Sequence, residues 1–281
     1  VQQTLTYNQA GSLNYASQLV IDDGSQGSQG NANATVNATE TIALELGILN
    51  SMDEAVSAFS AQLGTTNPHV EILDATADYP ALASGASSAS TSPFLIRISS
   101  GLAPVERIHF SLSLSGDFGT NLVRYFYLDA HNACLEPLNY SLISGGDNVL
   151  DPGETATLSL QINNDGHYHA SDLLGTLSSL TAMATVIDSL SVFGTVQPGG
   201  EAVSAQSFSL RADSRLVPGM QIPLKLKLHN SAGFEQFCIF NIPVGTVSQN
   251  DPLGPDEYGY LIYDTTDTDY PECPVYEWIE I

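Results

Sequence analysis

Few residues in this sequence have the types and spacing that chemistry requires. Asp147, Asn148, Asp151 and Glu154 set four oxygen-bearing side chains within one short stretch. A loop of that kind can supply part of the six to eight oxygens that calcium takes. The same residues can instead build a β-turn, with Asp and Asn accepting backbone N–H groups and Glu154 opening a strand. His167-Tyr168-His169 puts two imidazoles on one side of an extended segment. Zinc would need one or two more ligands converging there, whereas an exposed turn after Asn164-Asp165-Gly166 accounts for both without a metal. A Gly-x-Ser-x-Gly elbow is absent from the sequence. Carboxylates are too abundant for mere proximity to mean anything, because a catalytic pair also needs a cleft and a raised pKa. These residues lead to the expectation of no enzyme and no cofactor, calcium at 147–154 being the one alternative.

The elements that would position such residues follow from composition and repeat. The chain has 281 residues, 31 acids and 7 bases, a net charge of −24, and only 14 % charged residues. Phosphate binding needs clustered Lys and Arg, so nucleic acid and an anionic membrane surface are poor partners. No run of about 20 apolar residues is present to span a bilayer. The start, Val1-Gln2-Gln3-Thr4, lacks a signal peptide's basic and apolar regions. The chain reads as a mature product or a piece of something longer.

Glu40-Thr41, followed by Leu44, Leu46, Ile48 and Asn50, recurs as Glu154-Thr155, followed by Leu158, Leu160, Ile162 and Asn164. The offset, 154 − 40 = 114, holds without a gap to Phe126 and Leu128, which fall on Phe240 and Ile242. Within each copy apolar residues alternate with polar ones, the pattern of half-buried antiparallel strands. Short strands punctuated by Asp151-Pro-Gly, Asn164-Asp-Gly and Pro198-Gly-Gly point to a sandwich. The expectation is all-β: two tandem Ig-like antiparallel β-sandwiches, residues 1–131 and 132–246, and an acidic aromatic segment, 247–281. Asp53 to Leu63 could pass for a helix, but its counterpart contains Gly175, so both read as strands. Matching Tyr15 to Tyr140 makes the first module's loop 11 residues longer. The Gly, Ser, Gln and Asn of Asp22 to Asn37 predict a flexible excursion. Lys225 and Lys227 alternate with Leu224, Leu226 and Leu228 and so face away from the core, which removes the buried Lys that an isopeptide cross-link needs.

Residues 251–281 carry nine acids and no base, together with Tyr258, Tyr260, Tyr263, Tyr270, Tyr276 and Trp278. The ending, Val275 to Ile281, alternates like a strand. Interaction is expected of Tyr258, Tyr260, Tyr263, Tyr276 and Trp278. Gly145-Gly-Asp-Asn-Val-Leu-Asp-Pro-Gly-Glu-Thr, followed by Asn163-Asn-Asp-Gly, resembles a recurring bacterial Ig-like module found beside catalytic domains such as gingipain-like cysteine peptidases. Gly254-Pro-Asp-Glu-Tyr-Gly-Tyr and the residues after it look like a linker from such modules to a further β-domain. The resemblance implies an accessory, extracellular or cell-surface region, with no peptidase in this chain.

In Ig-like sandwiches the first and last strands often run side by side. Cys134 and Cys238 would then come within the ~5.5 Å Cα separation of a disulfide, worth about 4–5 kcal/mol in the chain-entropy model. Three thiols, two of them merely buried, are the alternative, and Cys273 is odd in either case.

The leading function is therefore a non-catalytic region that spaces, displays or braces neighbouring domains. The alternatives are a fibre subunit whose C-terminal strand adds to another copy, and an accessory region of a secreted peptidase. Like charge keeps copies apart at low salt. If the chain assembles, light scattering should show association promoted by added salt or calcium, through screening. Association that weakens with salt would contradict this.

Overall fold

The structure, a computed structural model, describes residues 11–118 and 122–275. Among these residues every regular element is a strand. The chain divides into two compact units. The first runs to Cys134 and also takes Gly166–Tyr168; the second takes Leu135–Asp165 and the chain from His169.

The first unit holds β1 (Leu13–Ile21), β2 (Val36–Asn37), β3 (Thr41–Asn50), β4 (Phe59–Gly64), β5 (Val70–Asp74), β6 (Thr76–Tyr79), β7 (Ser87–Ala89), β8 (Phe94–Ile98), β9 (Val105–Ser115) and β10 (Leu122–His131). One sheet runs β1-β3-β8-β5 with β7 also on β3, and the other runs β2-β10-β9-β4-β6. The second unit holds β11 (Leu135–Ile143), β12 (Thr155–Asn164), β13 (Ala170–Ser179), β14 (Ala184–Asp188), β15 (Leu190–Val196), β16 (Glu201–Val203), β17 (Phe208–Ala212), β18 (Gln221–His229) and β19 (Glu235–Pro243). Its sheets are β11-β12-β17-β14, with β16 on β12, and β15-β13-β18-β19. Both units are therefore β-sandwiches of one topology. Strands β3, β5, β7 and β8 map onto β12, β14, β16 and β17 residue for residue at the offset of 114. Every named strand pair is antiparallel except β2 with β10.

Alternation decides which face is buried. Leu158, Leu160, Ile162, Phe208, Leu210, Leu224, Leu226 and Ile242 line the second core, and Leu44, Leu46, Ile48, Phe94, Ile96, Ile108, Phe110, Leu112, Phe126 and Leu128 the first. Phe240 is only half-buried, because its strand β19 is the last in its sheet. The segment from Asp53 is strand only from Phe59; before it, Val56 makes an isolated bridge to Leu82.

Two sequence expectations change. Tyr15 faces Ile48 on β3, and Pro137 faces Ile162 on β12, so Tyr15 corresponds to Pro137, not Tyr140. Both first strands carry a bulge there, after Tyr15 and after Pro137. The first unit's loop, 22–40, has 19 residues against 11 in 144–154, so the excess is 19 − 11 = 8, not 11. That loop is also not a loose excursion. Gln29 bridges Thr41, and a side chain at Gly27 would meet Leu95 of β8. Consequently β3 is buried on nearly all positions, whereas β12, with the short loop, alternates.

Each unit fixes a strand end with a buried asparagine. Asn50 Nδ2 donates to the carbonyls of Glu54 (2.9 Å), Leu82 (3.1 Å) and Ala83 (3.2 Å). Asn164 Nδ2 donates to Val196 at 3.1 Å. Their backbone N–H groups donate to Ala86 and Gly200, again 114 apart. Asn50→Ala and Asn164→Ala should each destabilise by about 1–3 kcal/mol, by leaving buried carbonyls without donors. Phe208→Ala should cost about 3–5 kcal/mol through its cavity. Ile239→Ser on the outer face should change little, within about 0.5 kcal/mol. Urea denaturation of each variant checks the ranking.

Candidate functional site

The turn at 147–154 brings its oxygens together but uses them on its own backbone. Val149 N–H donates to Asp147 Oδ1 at 3.0 Å, Asp151 N–H to Glu154 Oε2 at 3.3 Å, and Ser144 Oγ–H to Glu154 Oε2 at 2.7 Å. Asn148 takes φ 64°, a left-handed position that Asn tolerates. Partial burial, then the charges of Asp147 and Glu154, push the Asp151 carboxyl up. Among the described residues no group of three or more His, Cys, Asp or Glu side chains is placed to hold a metal ion.

The equivalent place in the first unit is richer, and sequence reasoning missed it. Glu40 and Asp22 are both buried. The longer loop wraps them: Asn31 N–H donates to Glu40 Oε1 at 3.2 Å, and Asn37 donates to Oε2 from its backbone at 3.1 Å and from Nδ2 at 3.2 Å. Asn33 and Ala34 N–H groups donate to the two oxygens of Asp22 at 3.0 and 3.1 Å. Ala32, Ala34 and Thr39 all take left-handed φ to aim these donors inward. Burial nevertheless pushes the Glu40 carboxyl up to about 7; the Asn37 and Asn31 donors oppose this, and Asp22 adds to it. Tyr168 faces both carboxylates and is pushed up by burial first. The one sequence signal was Glu40 falling on Glu154. Nothing local marked Asp22.

His167 lies against His131, with ring centroids 5.3 Å apart. Burial and then His167 hold the His131 imidazolium below its usual range, and its Nδ1 has no hydrogen-bond partner among the described residues. His229 lies elsewhere, on β18 opposite Glu235. Cys238 is buried, with Sγ 3.3 Å from the carbonyl of Leu135, the residue after Cys134 in the chain. Cys134 and Cys273 are half-buried.

Tyr258 and Tyr260 are strongly exposed. They sit on a closed turn in which Leu253 and Ile262 exchange backbone hydrogen bonds of 3.0 and 2.8 Å. Asp256 Oδ1 accepts the N–H groups of Tyr258 and Tyr260, both at 2.9 Å. Tyr263 instead packs edge-on to Tyr270, centroids 6.4 Å apart. Tyr276 and Trp278 lie outside the described residues. Two surface depressions in the second unit measure about 190 Å³, beside Tyr140, Gln161 and Val203, and about 250 Å³, beside Met183, Arg211 and Asp213. Both are below the roughly 300–1,000 Å³ of small-molecule sites.

No protein-family model matches the sequence, and no curated protein does. Among solved structures, the chain is similar to the C-terminal domain of the Streptococcus agalactiae AgI/II polypeptide BspA, at 11 % identity over 82 % of this chain and 99 % of that one, TM-score 0.33. It is also similar to red sea bream transglutaminase, at 9 % identity over 76 % of this chain, TM-score 0.31. It spans 30 % of that enzyme's chain.

Glu40 generates a pH test. Its folded pKa is raised above the 4.5 of an ordinary Glu. Between about pH 4.5 and 7 the folded state therefore holds more protons than the unfolded state, and stability falls as pH rises through that window. The loss should be on the order of 2 kcal/mol. Glu40→Gln should lower stability at every pH, since its amide meets N–H donors, but abolish this slope. Denaturation midpoints from pH 4 to 8 distinguish the two effects.

Proposed function

We propose that this chain is a non-catalytic structural region of a secreted or cell-surface protein. It spaces, displays or braces neighbouring domains. The supporting observation is one sealed sandwich built twice, with the same strand order and a separate, fully packed core in each unit. Such tandem units set distance through their own rigidity. A Cys134–Cys238 disulfide belongs to the same proposal, since an oxidising compartment would let it persist. Calcium in the 147–154 turn is a subordinate part of it.

Calorimetry of the full chain against nucleotides, sugars, peptides and zinc should leave the unfolding midpoints within about 1 °C, because a ligand that binds the native state raises them. A saturable rise of several degrees, or turnover of any substrate, would replace this reading with a binding or catalytic one. Alkylation in denaturant followed by mass spectrometry should label Cys273 alone without reductant, and Cys134 and Cys238 only after reduction. Labelling of all three without reductant removes the disulfide.

A further inference from the structure

The two units serve as controls for each other, and one surface departs from the repeat. On the outer face of β15-β13-β18-β19, Leu190 and Val192 of β15 lie beside Thr176 and Leu174 of β13. Across β13 these pair with Lys227 and His229, and Ser178 pairs with Lys225. Lys227 and Lys225 in turn face Phe237 and Ile239 of β19. Leu174, Leu190, Val192, Phe237 (51 %) and Ile239 (65 %) are all exposed. Lys225 and Lys227 are the chain's two lysines. Their Nζ atoms lie 5.1 and 5.9 Å from the Phe237 ring, and Lys227 also pairs with Glu235 at 2.5 Å.

At the offset of 114, the first unit has Ser60, Thr76, Asp78, Ser111 and Ser113 where the second has Leu174, Leu190, Val192, Lys225 and Lys227. Val123 and Tyr125, both exposed, stand where the second has Phe237 and Ile239, so the two faces differ on the strands that carry Leu174, Leu190, Val192, Lys225 and Lys227. Leu174, Leu190, Val192 and the two lysines are therefore not required by the fold; the lysine row lies between these apolar residues and Phe237 and Ile239, and exposed apolar surface beside charge marks an interaction site.

The chain also carries a segment of complementary chemistry. The turn 253–262 holds Leu253, Tyr258 (76 %), Tyr260 (71 %) and Ile262 outward. Between 251 and 275 there are seven acids and no base, including Asp256 and Glu257 on the turn itself. Its Asp256 cap keeps the turn shaped before any contact forms, which reduces the ordering cost of binding. Elsewhere a chain of −24 repels its copies.

We propose that the outer face of β15-β13-β18-β19 docks the acidic, aromatic turn 253–262 of a second copy of this chain. Tyr258 and Tyr260 cover Leu190, Phe237 and Ile239, and the carboxylates flank Lys225 and Lys227. Face and turn are different surfaces, so the contact is heterologous and propagates head to tail. This goes beyond the structural reading above. Its failure would leave spacing intact, whereas turnover or ligand stabilisation would remove spacing and not this contact.

Sedimentation velocity of the full chain, at ~0.15 M salt, should show species growing past the dimer as concentration rises. Lys225→Glu with Lys227→Glu, and separately Tyr258→Ser with Tyr260→Ser, should each raise the apparent dissociation constant about tenfold or more. An equimolar mixture of these two variants should stop at a heterodimer, since one intact face and one intact turn remain. Lys227→Glu with Glu257→Lys should recover part of the association. Far-UV circular dichroism of all variants should match the parent, since the substitutions are on the surface and leave the core untouched. Zero-length carbodiimide cross-linking of mixed isotope-labelled and unlabelled chains should join Lys225 or Lys227 of one copy to the turn of the other. A chain that stays monomeric at every concentration, association indifferent to both variant pairs, or cross-links confined to one copy would each overturn the proposal.

Discussion

Burial of one face of every long strand is the constraint on which this molecule rests. An alternating strand has a single buried row, and a slip of one residue would turn that row to solvent. Asn50 and Asn164 hold the register where it matters, at the inner end of the central strands, by tying strand to turn through buried hydrogen bonds. A buried amide without those carbonyls would be costly, so the tie is specific as well as stabilising. Sheet order, turn position and the direction of each outer side chain follow from it.

Glu40 and Glu154 show how one residue type is used differently at one repeat position. Each accepts the backbone N–H of the residue three before it, Asn37 and Asp151. Eight further residues let the first unit's loop close over Asp22 and Glu40, lay Gly27 on Leu95, and add β2 to the edge of β10. Covering an edge strand removes a site for unwanted pairing. The penalty is a carboxylate out of water, partly offset by N–H donors. The shorter loop leaves Glu154 half-buried.

Duplication also separates what folding demands from what surfaces do. Positions that face inward keep their character at the offset of 114: Leu44 and Leu158, Phe94 and Phe208, Ile108 and Ile222 are all fully buried. Outward positions are free to diverge, because solvent accepts Ser and Thr as readily as a partner accepts Leu and Phe. On one sheet Ser60, Thr76 and Asp78 stand where the second unit has Leu174, Leu190 and Val192.

The fold class, the duplication and nearly the whole buried row were legible in the sequence, because alternation and a gapless repeat are local patterns with a direct physical meaning. Phe240 was misjudged since an edge strand exposes what a central strand hides. The counterpart of Tyr15 was misjudged since a bulge shifts register without marking composition. The polar loop 22–37 gave a reading of flexibility because composition reports affinity for water, whereas order there depends on two carboxylates 18 residues apart in sequence, 40 − 22 = 18, gathering the backbone N–H groups between them. Which outer residues lie side by side across four strands was likewise a matter of tertiary structure. Leu190, Thr176, Lys227 and Phe237 form one row only once β15, β13, β18 and β19 have paired, since strand pairing brings together residues that no sequence window contains.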